Sequence, residues 1–185
     1  MKILFRLLFF AVLTTAFVSC EKDPCQTVTC LNGGTCVNGQ CLCPEGYTGA
    51  DCSQQVTPSK IRVTKIEITK FPPATDNGAG WDLTSGADIY PAIYKGSTEL
   101  YSPTNFYQNA DPSLTYSFDV SPVLDLNDPQ DQYQIDLYDY DDFDADDFMG
   151  GIIFTPYSNN NGFPDIIDLD AGGAVAFKVH VNYVW

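Results

Sequence analysis

The chain has 185 residues, with 24 Asp and Glu against nine Lys and Arg, a formal net charge of −15. Such a surface repels nucleic acid and anionic membranes, so polyanion binding is not among its functions by charge alone. Twelve Phe, eleven Tyr and 44% hydrophobic residues exclude a disordered acidic tail, because such tails lack the aromatics that build a core.

The chain opens on Met1-Lys-Ile-Leu-Phe-Arg6 and an apolar run from Leu7 to Val18. A charged start and a hydrophobic middle of this length read as an export signal rather than a membrane span. The run ends in Phe17-Val18-Ser19-Cys20. That ending resembles a bacterial lipoprotein signal, although Phe17 stands where Leu is usual. The resemblance implies removal of residues 1–19, acylation of Cys20, a short tether over 20–24 and attachment to a membrane. The implied location is the cell envelope, at the outer membrane or cell surface. Cleavage removes Lys2 and Arg6, so the mature chain is more acidic still.

Six of the seven cysteines fall between Cys25 and Cys52, which leaves Cys20 as the odd thiol that lipidation would explain. They run Cys25, Cys30, Cys36, Cys41, Cys43, Cys52, with Asn32-Gly33-Gly34-Thr35 before the third and Pro44-Glu45-Gly46-Tyr47-Thr48-Gly49 before the sixth. This pattern resembles an EGF-like domain over residues 25–52. The resemblance implies the pairs Cys25–Cys36, Cys30–Cys41 and Cys43–Cys52. A segment this short cannot bury enough apolar surface to fold without bridges, so the compartment is expected to be oxidising. Tyr47 is expected on the last bridge. The interval Val37-Asn38-Gly39-Gln40 has no aromatic, and the resemblance therefore implies a structural module without calcium, a stiff spacer between anchor and larger domain.

Residues 53–59, with Gln54, Gln55, Thr57 and Pro58, read as a linker. Beyond it Ile61 and Val63 alternate with polar residues, and Ile66 and Ile68 resume the alternation out of phase, as at a β-bulge. Further runs cover 89–94, 114–120, 133–138, 148–154 and 175–185. In the last, Val175, Phe177, Val179, Val181, Tyr183 and Trp185 share one face. No segment keeps a helical period. Strands separated by Pro, Gly, Asn and Asp, with no crossover helices, predict an all-β fold over 60–185, an antiparallel β-sandwich of about eight strands.

Two of the connecting loops are acidic. Asp82 and Asp88 stand six residues apart before one strand-like run, and Asp139, Asp141 and Asp147 lie in a segment that holds six carboxylates between residues 139 and 149. Aspartates spaced i, i+2 at a strand end can converge on one point, and calcium takes six to eight oxygen ligands. An EF-hand does not fit, since Phe143 takes a ligand position and the loop lacks the required Gly and Glu. Gly150 is expected to turn the chain back into a strand.

The spacing of these five aspartates resembles that of the C2 domain family, as does Asn109-Ala-Asp-Pro112-Ser-Leu114-Thr-Tyr116-Ser-Phe118, although Leu114 and Thr115 depart from the family's strand entry. The resemblance covers 60–185. It implies calcium as cofactor, held by Asp82, Asp88, Asp139, Asp141 and Asp147, with Leu83 and Phe143 as apolar loop tips that meet a membrane or partner. A phospholipid, protein or glycan is the implied partner, bound in a calcium-dependent way. Asp142, Asp144 and Asp146 add acid where lipid-binding relatives are basic or neutral, and 101–110 contains no Lys or Arg. Two other functions remain open: a structural, adhesive interaction protein whose acidic rim is only solvated, and a carbohydrate-binding module. No enzyme is expected: His180 is the only histidine, and no nucleophile motif or zinc-ligand set appears.

Overall fold

A computed structural model describes residues 22–82, 85–142, 145–159 and 161–185. The signal segment, Cys20, Leu83 and Phe143 lie outside the described residues. Every regular element among those described is a strand.

The first module is held by disulfides Cys25–Cys36, Cys30–Cys41 and Cys43–Cys52, the pairing the EGF-like resemblance implies. Its strands are short: β1 (Thr35–Val37) pairs with β2 (Gln40–Leu42), and β3 (Tyr47–Thr48) pairs with β4 (Gln54–Gln55). Among its hydrophobic side chains only Cys52 is fully buried. Each bridge therefore replaces a core by restricting the unfolded chain, by about 2–4 kcal/mol.

Eight strands follow: β5 (Lys60–Lys70), β6 (Ile89–Lys95), β7 (Thr98–Tyr101), β8 (Tyr116–Leu126), β9 (Tyr133–Asp139), β10 (Asp147–Phe154), β11 (Ile166–Leu169) and β12 (Ala176–Val184). They form two antiparallel sheets, ordered β10-β9-β6-β7 and β11-β12-β5-β8. The inward faces supply one continuous core, with Ile61, Val63, Ile66 and Ile68 of β5 opposite Ile89, Ile93, Ile135 and Leu137 of the other sheet. The phase slip in β5 is a bulge. Its register shifts between Val63 and Lys65 against β8, which leaves Thr64 and Lys65 both half-buried and returns Ile66 to the core.

The structure departs from the sequence reading at several elements. β8 starts at Tyr116 and runs to Leu126, leaving Leu114 exposed before it. β7 and β11 carry no hydrophobic alternation long enough to read, and both are sheet edges. Val175 and Ala176 are both buried because the register shifts between Ala176 and Phe177, and Trp185 remains 39% exposed. Gly150 does not turn the chain into β10. It lies inside that strand at a bulge, with φ +146°, where an added Cβ would stand 3.1 Å from Val175 Cγ1.

The two modules are joined by rings rather than by the linker alone. Tyr47 packs edge-on against Phe163 of the sandwich at 5.3 Å, and Phe163 also meets Tyr157, Tyr183 and Trp185 at 5.7, 5.2 and 4.7 Å. Gly46 approaches so closely that a Cβ would fall 2.5 Å from Trp185. Aromatic contacts of this kind contribute beyond their buried area. The C-terminal strand therefore ends in a socket for the turn Gly46-Tyr47.

Phe163→Ala is expected to destabilise the sandwich by roughly 2–4 kcal/mol through the cavity it leaves. It should also free the EGF-like module. Nuclear relaxation checks this: the two modules share one correlation time in the native chain and separate in the variant. Equal tumbling in both proteins would refute the joint.

Candidate functional site

At one pole of the sandwich the end of β9 meets the start of β6. Asp139 is the last residue of β9 and pairs in register with Ile89 on one side and Asp147 on the other. Alternation along β9 points its side chain inward with Ile135 and Leu137, so the carboxylate is completely buried. The amide of Asp88 donates to Asp139 Oδ1, and the amide of Tyr140 donates to the carbonyl of Asp88 at 2.8 Å. These bonds hold the two acidic loops together.

Asp139 Oδ2 is buried and has no hydrogen-bond partner among the described residues. An unpaired carboxylate oxygen away from water carries a desolvation cost of several kcal/mol unless it is protonated or meets a cation. Burial accordingly pushes the Asp139 carboxyl up to about 6, the Asp88 amide opposes the shift, and the nearby charges of Asp82, Asp141 and Asp88 add to it. Those three therefore lie within electrostatic reach of Asp139.

The remaining members of the sequence-derived set take different positions. Asp82 is half-buried in the loop after β5 and accepts from Ser85 Oγ at 2.8 Å. Asp88 accepts from the amide of Asn109 at 2.7 Å. The amide of Asp141 donates to Asp146 Oδ1 at 3.1 Å. Asp147 opens β10 with its side chain exposed at the rim. Among the described residues no three acidic, histidine or cysteine side chains are already gathered as a ligand group. Among the described residues Lys60 and Arg62 pair with Asp125, Lys65 with Glu67, and Lys95 with Asp128 and Asp131.

Two further residues brace the acidic loops, and neither was assigned to the site from sequence. Asn109, at φ +52°, clasps the first loop, donating its amide to Asp88 and accepting from the Gly86 amide at 3.2 Å. Asn tolerates this left-handed conformation better than most residues, which is the available signal. Asp146 braces the second loop, accepting from Tyr90 Oη as well as from the Asp141 amide. In sequence it is one more acid in a run of acids. His180 lies on β12, its Nε2 3.2 Å from Glu67 Oε1 and far in the fold from this pole.

An oxygen-only set of carboxylates suits a hard divalent cation such as calcium and disfavours zinc, which draws on nitrogen and sulfur. The orphaned Asp139 oxygen at the meeting of two loops fits such an ion.

Comparison with known proteins assigns the first module. Residues 27–55 match the family model described as the Teneurin-like EGF domain. Human vasorin is 44% identical over 102 residues, which cover 52% of this chain and 14% of vasorin, and mouse lactadherin is 54% identical over 37 residues, covering 17% and 8%. The chain thus spans a small fraction of the length of these relatives. A solved C2 domain overlays with a TM-score of 0.47 at 15% identity, covering 68% of this chain and 98% of that one.

In the metal-free protein Asp139 binds a proton more tightly when folded than when unfolded. Its contribution is therefore fully present below about pH 4 and is lost as pH rises through about 6. Asp139→Asn is neutral throughout and is expected to flatten this slope, gaining on the order of 2 kcal/mol at pH 7 in EDTA. Urea melts at pH 4, 5, 6 and 7 measure it, and parallel slopes in both proteins would show that Asp139 does not carry the strain.

Proposed function

We propose that the sandwich is a C2-like calcium-binding module and that the protein is an exported, lipid-anchored attachment protein rather than an enzyme. The observation that carries this reading is the buried Asp139 oxygen, without a partner, placed where Asp82, Asp88 and Asp141 bear on it. Calcium at this pole would be held by Asp82, Asp88, Asp139, Asp141 and Asp147. Mutual repulsion among the carboxylates would then become attraction to a common centre, and the two loops would tighten.

The attachment step follows from where these residues stand. Asp147 and Asp141 sit at the surface end of the site, so a ligand oxygen from outside can share the ion. Leu83 follows Asp82 and Phe143 stands two residues beyond Asp141 in sequence, and both are assigned the apolar contact with a membrane or surface partner. The three disulfides, the EGF-like match and the likeness to vasorin and lactadherin support an oxidising, external setting. Cys20 and the preceding apolar segment supply the anchor in this reading.

Isothermal titration of the oxidised chain with calcium tests the site. Saturable binding and a rise in melting temperature are expected, both strongly reduced by Asp139→Asn and by Asp88→Asn, and both weaker below about pH 6 as Asp139 takes up its proton. The absence of saturable heat in the native protein at pH 7 would overturn the reading. Co-sedimentation with phosphatidylserine vesicles identifies lipid as the target if it requires calcium and falls about tenfold in Phe143→Ala. Calcium binding without sedimentation assigns the attachment to a protein or glycan surface.

A further inference from the structure

The sandwich has a second concave surface, which runs from its β7 and β8 edges toward the acidic pole. Strand β7 ends one sheet and β8 ends the other, so each has an edge with no strand beside it. Between these edges lies a hollow of about 490 Å³, walled by Glu99, Leu100 and Tyr101 on one side and by Asp119, Val123 and Leu124 on the other. The loop 102–105 closes its end and forms one wall of a smaller hollow of about 290 Å³, which reaches Phe106, Tyr140 and Asp146. The two hollows share the wall 102–105, and the larger is a trough between the β7 and β8 edges.

Its chemistry is selective. Leu100 and Val123 are exposed although apolar, at 37% and 50%. Neither hollow is lined by a Lys, Arg or His. Glu99 and Asp119 both line the larger hollow, and among the described residues neither takes part in an ion pair, while Glu99 accepts from Tyr94 Oη at 3.3 Å. An anionic ligand or lipid headgroup is repelled, and a purely apolar ligand would desolvate two carboxylates without compensation. A sugar needs a ring face to lie on, but Phe106 and Tyr140 stack on each other at 4.3 Å and 15°, which covers one face of each. Long basic side chains satisfy both demands, laying their methylene stems on Leu100 and Val123 and their charges on Glu99 and Asp119.

The backbone adds the second half of the fit. An edge strand presents unpaired amides and carbonyls to any extended chain that comes beside it. The four residues of β7 offer a template about 13 Å long, and Pro122 sits in β8, where the lost donor suits an edge. We propose that the trough between the β7 and β8 edges is a docking site for an extended basic peptide segment of a partner protein, bound by strand addition with alternate Lys or Arg side chains directed at Glu99 and Asp119. The partner is recognised by charge complementarity to a strongly acidic chain, and the site requires no calcium.

Fluorescence anisotropy of a labelled Arg-Val-Arg-Val-Arg-Val peptide against the intact oxidised chain, in EDTA and at physiological ionic strength, tests this. Because EDTA removes the ion, the outcome is independent of the calcium reading. Saturable binding is expected, weakened about tenfold or more by Glu99→Lys with Asp119→Lys, and also weakened by the shape-preserving pair Glu99→Gln with Asp119→Asn. Asp165→Lys with Asp168→Lys, at the opposite edge on and beside β11, makes the same charge change and should weaken binding less than about threefold. No saturation at millimolar protein would overturn the proposal. So would equal weakening by the two lysine pairs, since binding would then follow net charge alone.

Discussion

The placement of one carboxylate governs how the two acidic loops meet. Asp139 is the inward-facing residue at the end of a strand whose other inward residues are Ile135 and Leu137, so the alternation that builds the core also carries an acid into it. One of its oxygens is tied to the Asp88 amide, and that bond fixes the distance between the two acidic loops. The other oxygen is left without a protein partner. A fold selected only for stability would place Asn or a hydrophobe here. Retaining a buried acid costs free energy that an ion or a proton must offset.

The same sandwich binds the disulfide module at its opposite end. Tyr47 and Gly46 enter a socket built from Phe163, Tyr157, Tyr183 and Trp185, and the close approach at Gly46 leaves no room for a side chain. A module with almost no core of its own thereby gains a packed contact. The module is held by its three bridges and by its seat against the last strand of the sandwich. An anchor at the N-terminus would then orient the acidic pole rather than trail it on a flexible thread.

Charge is distributed to match. Lys60, Arg62, Lys65 and Lys95 are engaged in ion pairs away from the pole, and the trough between β7 and β8 has no cation in its lining. Acidic side chains stand at two neighbouring surfaces. One carries the buried Asp139 and the aspartates within its electrostatic reach, an oxygen-only chemistry that suits a hard divalent ion. The other is an extended apolar channel edged by two carboxylates, which suits a long cationic side chain.

Much of the architecture is legible in the residues because it follows from local periodicities. Alternation in β5, β6, β9 and β12 reports strands half-buried in a sandwich, the slip between Val63 and Ile66 reports a bulge, and the resemblance of the cysteine pattern to an EGF-like domain implies the bridges. The five aspartates are legible as a set because their spacing is a property of the chain. Tertiary structure alone decided which of them is buried, since that depends on the depth at which β9 ends against β6 and β10. It also decided the roles of Asn109 and Asp146, whose partners are distant in sequence. The short edges β7 and β11 escaped sequence reading because four residues cannot show a period. The aromatic joint escaped it because Tyr47, Phe163 and Trp185 are brought together by packing between modules, a long-range arrangement that no local pattern encodes.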